Sequence, residues 1–172
     1  FIVLKLQQMK LSRFLMIALL LVSFQLVAEN AYEVQNNALV LPGDIKFDTH
    51  AYDVKDASDP MLDFVAQYLK DKPYITKLRI EGHVYSEKSP EENIKLSLQR
   101  AAMISYYLTT KGIDCSRLIP VAFGDTKPIA PVDECNLSHN TRIDFYNAEM
   151  NYKCVAGNSE DGFALKVFEP CE

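Results

Sequence analysis

The chain has no Cys-x-x-Cys pair among its four cysteines, so neither a zinc ribbon nor a thioredoxin-type redox centre is encoded. It also lacks His-x-x-x-His and His-Glu-x-x-His spacings. Its three histidines, His50, His83 and His139, are scattered, which removes the usual helical metalloenzyme arrangement. A Gly-x-Ser-x-Gly elbow and a phosphate-binding glycine loop are missing too. No catalytic residue, metal or cofactor is therefore expected. No self-similar period of 20–50 residues appears, which excludes a solenoid. Basic charge is scarce: 18 Lys and Arg stand against 23 Asp and Glu, a net charge of −5. Nucleic-acid binding needs a basic footprint and is not expected, nor is a polybasic patch for anionic lipid.

What is present suffices for one domain. The 172 residues are 48% hydrophobic and 24% charged, ordinary values for a globular chain. Met9-Lys10-Leu11-Ser12-Arg13 is a short basic segment, and residues 14–28 (FLMIALLLVSFQLVA) are an apolar run. The run is about signal-peptide length and short of the roughly 20 residues of a spanning helix. Residues 1–28 are expected to be a signal peptide starting in truth at Met9 and cleaved near Ala28; an uncleaved anchor is the alternative. That segment holds Lys5, Lys10 and Arg13 and no acid, so the remainder sits near −8. No cysteine follows the apolar run, so lipid modification is not expected. Residues 29–37 are polar and read as an extended or mobile linker. In an exported chain an even cysteine count reads as two disulfides. Loop closure favours nearest neighbours, Cys115 with Cys135 and Cys154 with Cys171.

The elements follow from periodicity. Ser58-Asp59-Pro60 starts a helix, with Ser58 or Asp59 as cap, and Met61, Phe64, Val65, Tyr68 and Leu69 form its apolar stripe. A strand follows over residues 75–83, where Leu78 and Ile80 alternate with Arg79 and Glu81 as in a half-buried strand. Ser89 caps a second helix over residues 90–110, with Pro90 in its first position and Glu91 and Glu92 in its first turn. Gly112 stops that helix. Its buried side is expected to hold Ile94, Leu98, Ala101, Ala102, Ser105 and Leu108. Asn93, Ser97 and Arg100 share one face and, with the strand end and the Gly82-His83 turn, outline a small polar cleft. Residues 119–123 read as a further strand. Residues 164–168 alternate and read as an extra strand in a tail that either binds a partner or only covers a sheet edge.

Ile80, Gly82, His83, Asn93, Leu96, Ser97, Arg100 and Ala101 stand in register with the signature I-x-G-H-T-D-x-x-G-x-x-x-x-N-x-x-L-S-x-x-R-A. The chain thus resembles the OmpA-like peptidoglycan-binding family. LPG-x-I-x-F-D near residue 41, Gly124 with Lys127-Pro128-Ile129-Ala130-Pro131, and Asn140-Thr141-Arg142-Ile143 extend the match over residues 38–147. The family's Asp falls on Tyr85, and the first Arg of its paired arginines on Thr141.

The resemblance implies an α+β fold of βαβαββ order, a two-layer sandwich with two helices on one face of a mixed sheet. The OmpA-like domain would span residues 38–148, followed by a disulfide-stapled extension over residues 149–172. It implies a non-enzymatic periplasmic protein of a Gram-negative envelope, associated with the cell wall or outer membrane and with other envelope proteins. Its ligand would be the diaminopimelate residue of the peptidoglycan stem peptide. The implied contacts are Arg100 to the ligand carboxylate, with Asn93, Tyr85, Arg142 and His50 around it. Tyr85 offers no charge to an ammonium. The alternative is a structural subunit of an envelope-spanning machine, such as a secretion system or flagellar motor, whose cleft no longer binds.

Overall fold

The computed structural model describes residues 32–48, 54–55, 58–132, 137–155 and 166–171. The segment expected to be a signal peptide lies outside them, as do His50 and Cys135. Among the described residues no helix is long and apolar enough to cross a membrane.

Among the described residues the first element is a hairpin, β1 (Val34–Gln35) and β2 (Ala38–Leu39). Its turn is Asn36-Asn37, both at positive φ (49° and 66°), a conformation asparagine tolerates. This corrects the expectation of a linker over residues 29–37. Residues 32–37 are part of the domain: Tyr32 packs on Phe64 and Tyr68, its hydroxyl donates to Asp71 at 2.6 Å, and Asn147 N–H donates to the Asn37 carbonyl. The LPG-x-I-x-F-D segment after the hairpin forms no strand; it makes one isolated bridge, Phe47 with Val54.

Helix α1 (Asp59–Asp71) buries Leu62, Val65, Ala66, Tyr68 and Leu69. The stripe is rotated from the expected one, so Leu62 is fully buried whereas Met61 and Phe64 are half-buried. Ser58 makes no capping bond; its hydroxyl instead holds the Lys46 backbone at 2.7 and 3.1 Å. Strand β3 (Ile75–His83) leads to helix α2 (Pro90–Thr110). Ser89 and Glu92 close a reciprocal capping box at its start, and Gly112 turns the chain after it at φ +86°. A 3-10 turn (Cys115–Arg117), strand β4 (Leu118–Gly124), the short helix α3 (Leu137–Asn140), β5 (Arg142–Met150), β6 (Lys153–Cys154) and β7 (Lys166–Val167) follow among the described residues.

The sheet runs β1-β2-β5-β3-β4-β7, with β6 paired to β5. β3 and β4 are parallel; β3–β5 and β4–β7 are antiparallel. The α+β order is that implied by the resemblance, with β1, β6 and β7 added at the margins. Both long helices contribute to one core with Leu78 and Ile80 of β3 and Phe145 of β5. The buried face of α2 is only partly the one periodicity suggested: Ala101, Ser105 and Leu108 are buried as expected. Asn93, Leu96, Ser97, Arg100, Ala101, Ile104, Ser105 and Leu108 are buried, while Ile94 and Leu98 are only half-buried. Polar residues lie inward because α2 sits almost on the backbone of β3. A Cβ at Gly82 would stand 2.8 Å from the carbonyl carbon of Ser97.

The disulfide is Cys115–Cys171, which corrects the expected nearest-neighbour pairing; Cys154 is free and exposed. The register Val121↔Val167 runs β7 back along β4, so residue 171 arrives beside the turn that precedes β4. Closing 56 residues instead of about 20 costs only about 1 kcal/mol more, too little to oppose the sheet register. Arg117 fixes the same turn by donating to the Leu69 and Ile75 carbonyls at 2.9 and 2.8 Å.

Two outcomes are expected. A peptide map of the non-reduced protein will contain a Cys115–Cys171 cross-link and none joining Cys154 to Cys171. Gly82→Ala will lower stability by at least about 1–3 kcal/mol in urea unfolding, because the collision is with backbone rather than a flexible side chain.

Candidate functional site

A groove of about 1010 Å³ lies beside the end of β3. One wall comes from residues 38–48, which enter from the hairpin. Another is the start of β5, and α2 contributes Leu96 and Arg100. The lining is largely apolar, with a few polar groups set into it, the usual character of a ligand site.

Arg100 is at the groove wall, as the sequence implied. Its guanidinium lies 4.5 Å from the centre of the Phe47 ring and donates to the Asp48 carbonyl at 3.4 Å. The side chain is largely buried and remains a cation, although burial holds it below its ordinary pKa. The aromatic ring under it fixes the plane in which an incoming carboxylate would meet two N–H groups. Phe47 was legible in the sequence only as the Phe of the LPG-x-I-x-F-D match; nothing there marked it as the platform for Arg100.

Tyr85 also lines the groove, with 6% of its surface exposed. Its backbone is locked to Thr141: Tyr85 N–H donates to Thr141 Oγ1 at 2.9 Å, and that hydroxyl donates to the Tyr85 carbonyl at 3.1 Å. Two of the positions that depart from the family signature, Tyr85 and Thr141, therefore touch each other through the Tyr85 backbone. The phenol makes no well-aligned hydrogen bond among the described residues, although the Lys127 backbone lies close to it. Burial pushes its pKa up, with Arg142 opposing, so it stays neutral at physiological pH.

Arg142 reaches the groove but is engaged within the molecule. It donates to Asp144 at 2.8 Å and to the Asn140 and Lys127 carbonyls at 3.2 and 3.3 Å. Asn93 does not line the groove. It is buried, accepts from Ser86 at 2.6 Å and donates to Asp125 at 3.2 Å, so it braces the loop before α2 against the loop after β4. Ser97 does similar work, accepting from Gly124 N–H at 3.1 Å. Of the five residues implied by the resemblance, the structure thus brings Arg100, Tyr85 and Arg142 to the groove and places Asn93 behind it. His50 lies outside the described residues.

The second face of β3 departs most from expectation. Arg79 and Glu81 are buried rather than exposed, and His83 is buried beside them. Arg79 pairs with Glu81. His83 Nε2 lies 3.4 Å from both Glu81 and Asp144, and the ring stacks on Phe123 at 5.4 Å. Lys127 reaches Glu81 at 4.0 Å and covers Phe123. Glu81, His83 and Asp144 bring three potential metal-ligand atoms within 4.8 Å of one another. Arg79, Arg142 and Lys127 surround those carboxylates, however, and their charge opposes a divalent ion. The trio is better read as the polar seam that fixes β3 against β5, whose register pairs Glu81 with Asp144 and His83 with Arg142.

A family model described as "OmpA family" matches residues 46–139, more than half of the chain. The chain belongs to the OmpA family. It is 34% identical over 99 residues to the peptidoglycan-associated lipoprotein of Haemophilus influenzae, covering 57% of this chain and 64% of that protein. The match thus spans just under two thirds of this relative's length. Among solved structures, the peptidoglycan-associated lipoprotein of Burkholderia pseudomallei superposes with a TM-score of 0.55 at 30% identity, over 60% of this chain and 87% of that one. The cell wall anchor of the T6SS from Pseudomonas aeruginosa shares the fold, with a TM-score of 0.54 at 22% identity, over 67% of this chain and 84% of that one.

The polar seam predicts an acid response. Hydrogen bonding from His83 and the charges of Arg79 and Lys127 outweigh burial and hold Glu81 below its ordinary pKa of 4.5. A depressed carboxylate contributes stability above its unfolded pKa and loses it as pH falls through the folded value. Urea midpoints of the OmpA-family domain should therefore drop as pH falls below about 4.5. Glu81→Gln should be less stable at pH 7, because it removes the buried carboxylate that Arg79, His83 and Lys127 face, and should show a shallower acid slope.

Proposed function

We propose that this OmpA-family chain is a non-enzymatic peptidoglycan-binding protein that tethers an envelope assembly to the cell wall. It would work in the periplasm of a Gram-negative bacterium, against the wall or outer membrane. The ligand would be the diaminopimelate end of the stem peptide, with its carboxylate on Arg100. One observation carries the reading: Arg100, which is in register with the family signature, stands in the wall of an open groove with its guanidinium laid on Phe47. A planar guanidinium suits a carboxylate because two parallel N–H bonds form at once. The names of the relatives, peptidoglycan-associated lipoproteins, support the same ligand. The ammonium of diaminopimelate would meet a neutral phenol at Tyr85, so affinity is expected to be modest.

A second reading is a structural subunit of an envelope-spanning machine in which the groove is disused. It is favoured by the neutral phenol of Tyr85 in the groove and by the engagement of Arg142 with Asp144.

Sedimentation with purified sacculi separates the two. The wild type is expected in the pellet, and Arg100→Ala should weaken binding roughly tenfold or more, the worth of a charged hydrogen bond of about 1.5–3 kcal/mol. A wild type that stays in the supernatant would sink the tethering reading. Tyr85→Asp should tighten binding by about one to two decades, since it supplies a carboxylate to the ligand ammonium.

A further inference from the structure

The tail beyond β6 is not explained by the groove. β7 is paired with β4 through Lys166 and Val167 only, and Phe168 N–H adds one bond to the Pro120 carbonyl at 3.0 Å. Beyond β7, Phe168, Glu169 and Cys171 are exposed and Pro170 is half-buried. Ordering six residues costs more than a few hydrogen bonds at an open sheet edge return, because such bonds largely replace bonds to water. β7 also lies against α2, but residues 168–171 run on beyond it and need a further hold. The Cys115–Cys171 disulfide does so by keeping the segment at high effective concentration beside the edge.

We propose that residues 166–171 are a redox-released strap: the disulfide, rather than the strap's own pairing, keeps it on the β4 edge, and a dithiol reductant frees it while the core stays folded. A thiolate of the reductant attacks the exposed Cys171 sulfur. The S–S bond breaks, and Cys115 leaves as a thiolate and takes up a proton. The second thiol of the reductant then expels Cys171 from the mixed disulfide. The protein gains two electrons and two protons, and the reductant leaves as its own disulfide. Edge protection alone is a poor account of the strap. Pro120 offers no N–H, and its carbonyl points to that edge, so the bare strand is already blunted against sheet-to-sheet association. Release would therefore expose a short strip of β4 without making the protein aggregate.

Hydrogen exchange of the full chain, oxidised and after treatment with dithiothreitol, tests this. The amides of Ala122, which lies opposite Lys166, and of Phe168 should exchange at least tenfold faster after reduction, while Ile80 and Phe145 in the core strands keep their protection. Cys171→Ser should reproduce the reduced pattern without any reductant. Unchanged exchange at Ala122 and Phe168 after reduction would show that pairing alone holds the strap and would overturn the proposal. Loss of protection at Ile80 and Phe145 as well would also overturn it, because the disulfide would then be a staple of the whole fold.

Discussion

At Gly82 the backbone of β3 passes directly beneath the Ser97 carbonyl of α2, with no room for even a methyl group between them. This close approach sets the height of α2 above the sheet. It draws Asn93 and Ser97 inward, where they bond to Asp125 and the Gly124 amide, and so fixes the loop that leaves β4. Arg100, near the middle of the same helix, is thereby held at the groove wall over Phe47. A glycine thus governs the geometry of a site it does not touch, because close packing transmits any change in helix height to every residue on that helix face.

The groove itself is a product of chain segments far apart in sequence. Its cation comes from α2, the aromatic platform under that cation from residue 47, and its remaining wall from the start of β5. The seam of Arg79, Glu81, His83 and Asp144 keeps β3 and β5 in register just behind that wall. Breaking a buried pair of this kind is expensive because the partner left behind is a desolvated charge. The seam is therefore structural capital for the groove even though none of β3's charged residues lines it.

Much of the architecture was legible in one dimension. The bounds of α2, its Ser89 cap and the span of β3 follow from local signals: a capping box, a proline at the first helical position, apolar alternation. These are decided within a few residues and survive whatever the rest of the chain does. The glycine expected to turn the chain at residue 82 instead lies within β3, paired with Ala122 and Ile143. The β1–β2 hairpin was less legible, because two asparagines in a polar stretch read as linker as readily as turn. The rotated face of α2 was not legible either. An apolar count assigns Ile94 and Leu98 to the core, whereas hydrogen bonds to Ser97 and Asn93 repay the burial of polar groups there.

The sequence by itself determined the family, the α+β order and the arginine that faces the groove, because each is written in local spacing and turn chemistry. Only the tertiary structure decided that Cys115 pairs with Cys171, since strand register outweighs a loop-closure difference of about 1 kcal/mol. It likewise decided that Arg79 and Glu81 are interior and that the Thr141 hydroxyl clasps the backbone of residue 85. Pairings of this kind depend on which distant segments meet, and nothing in a residue's neighbours along the chain specifies that.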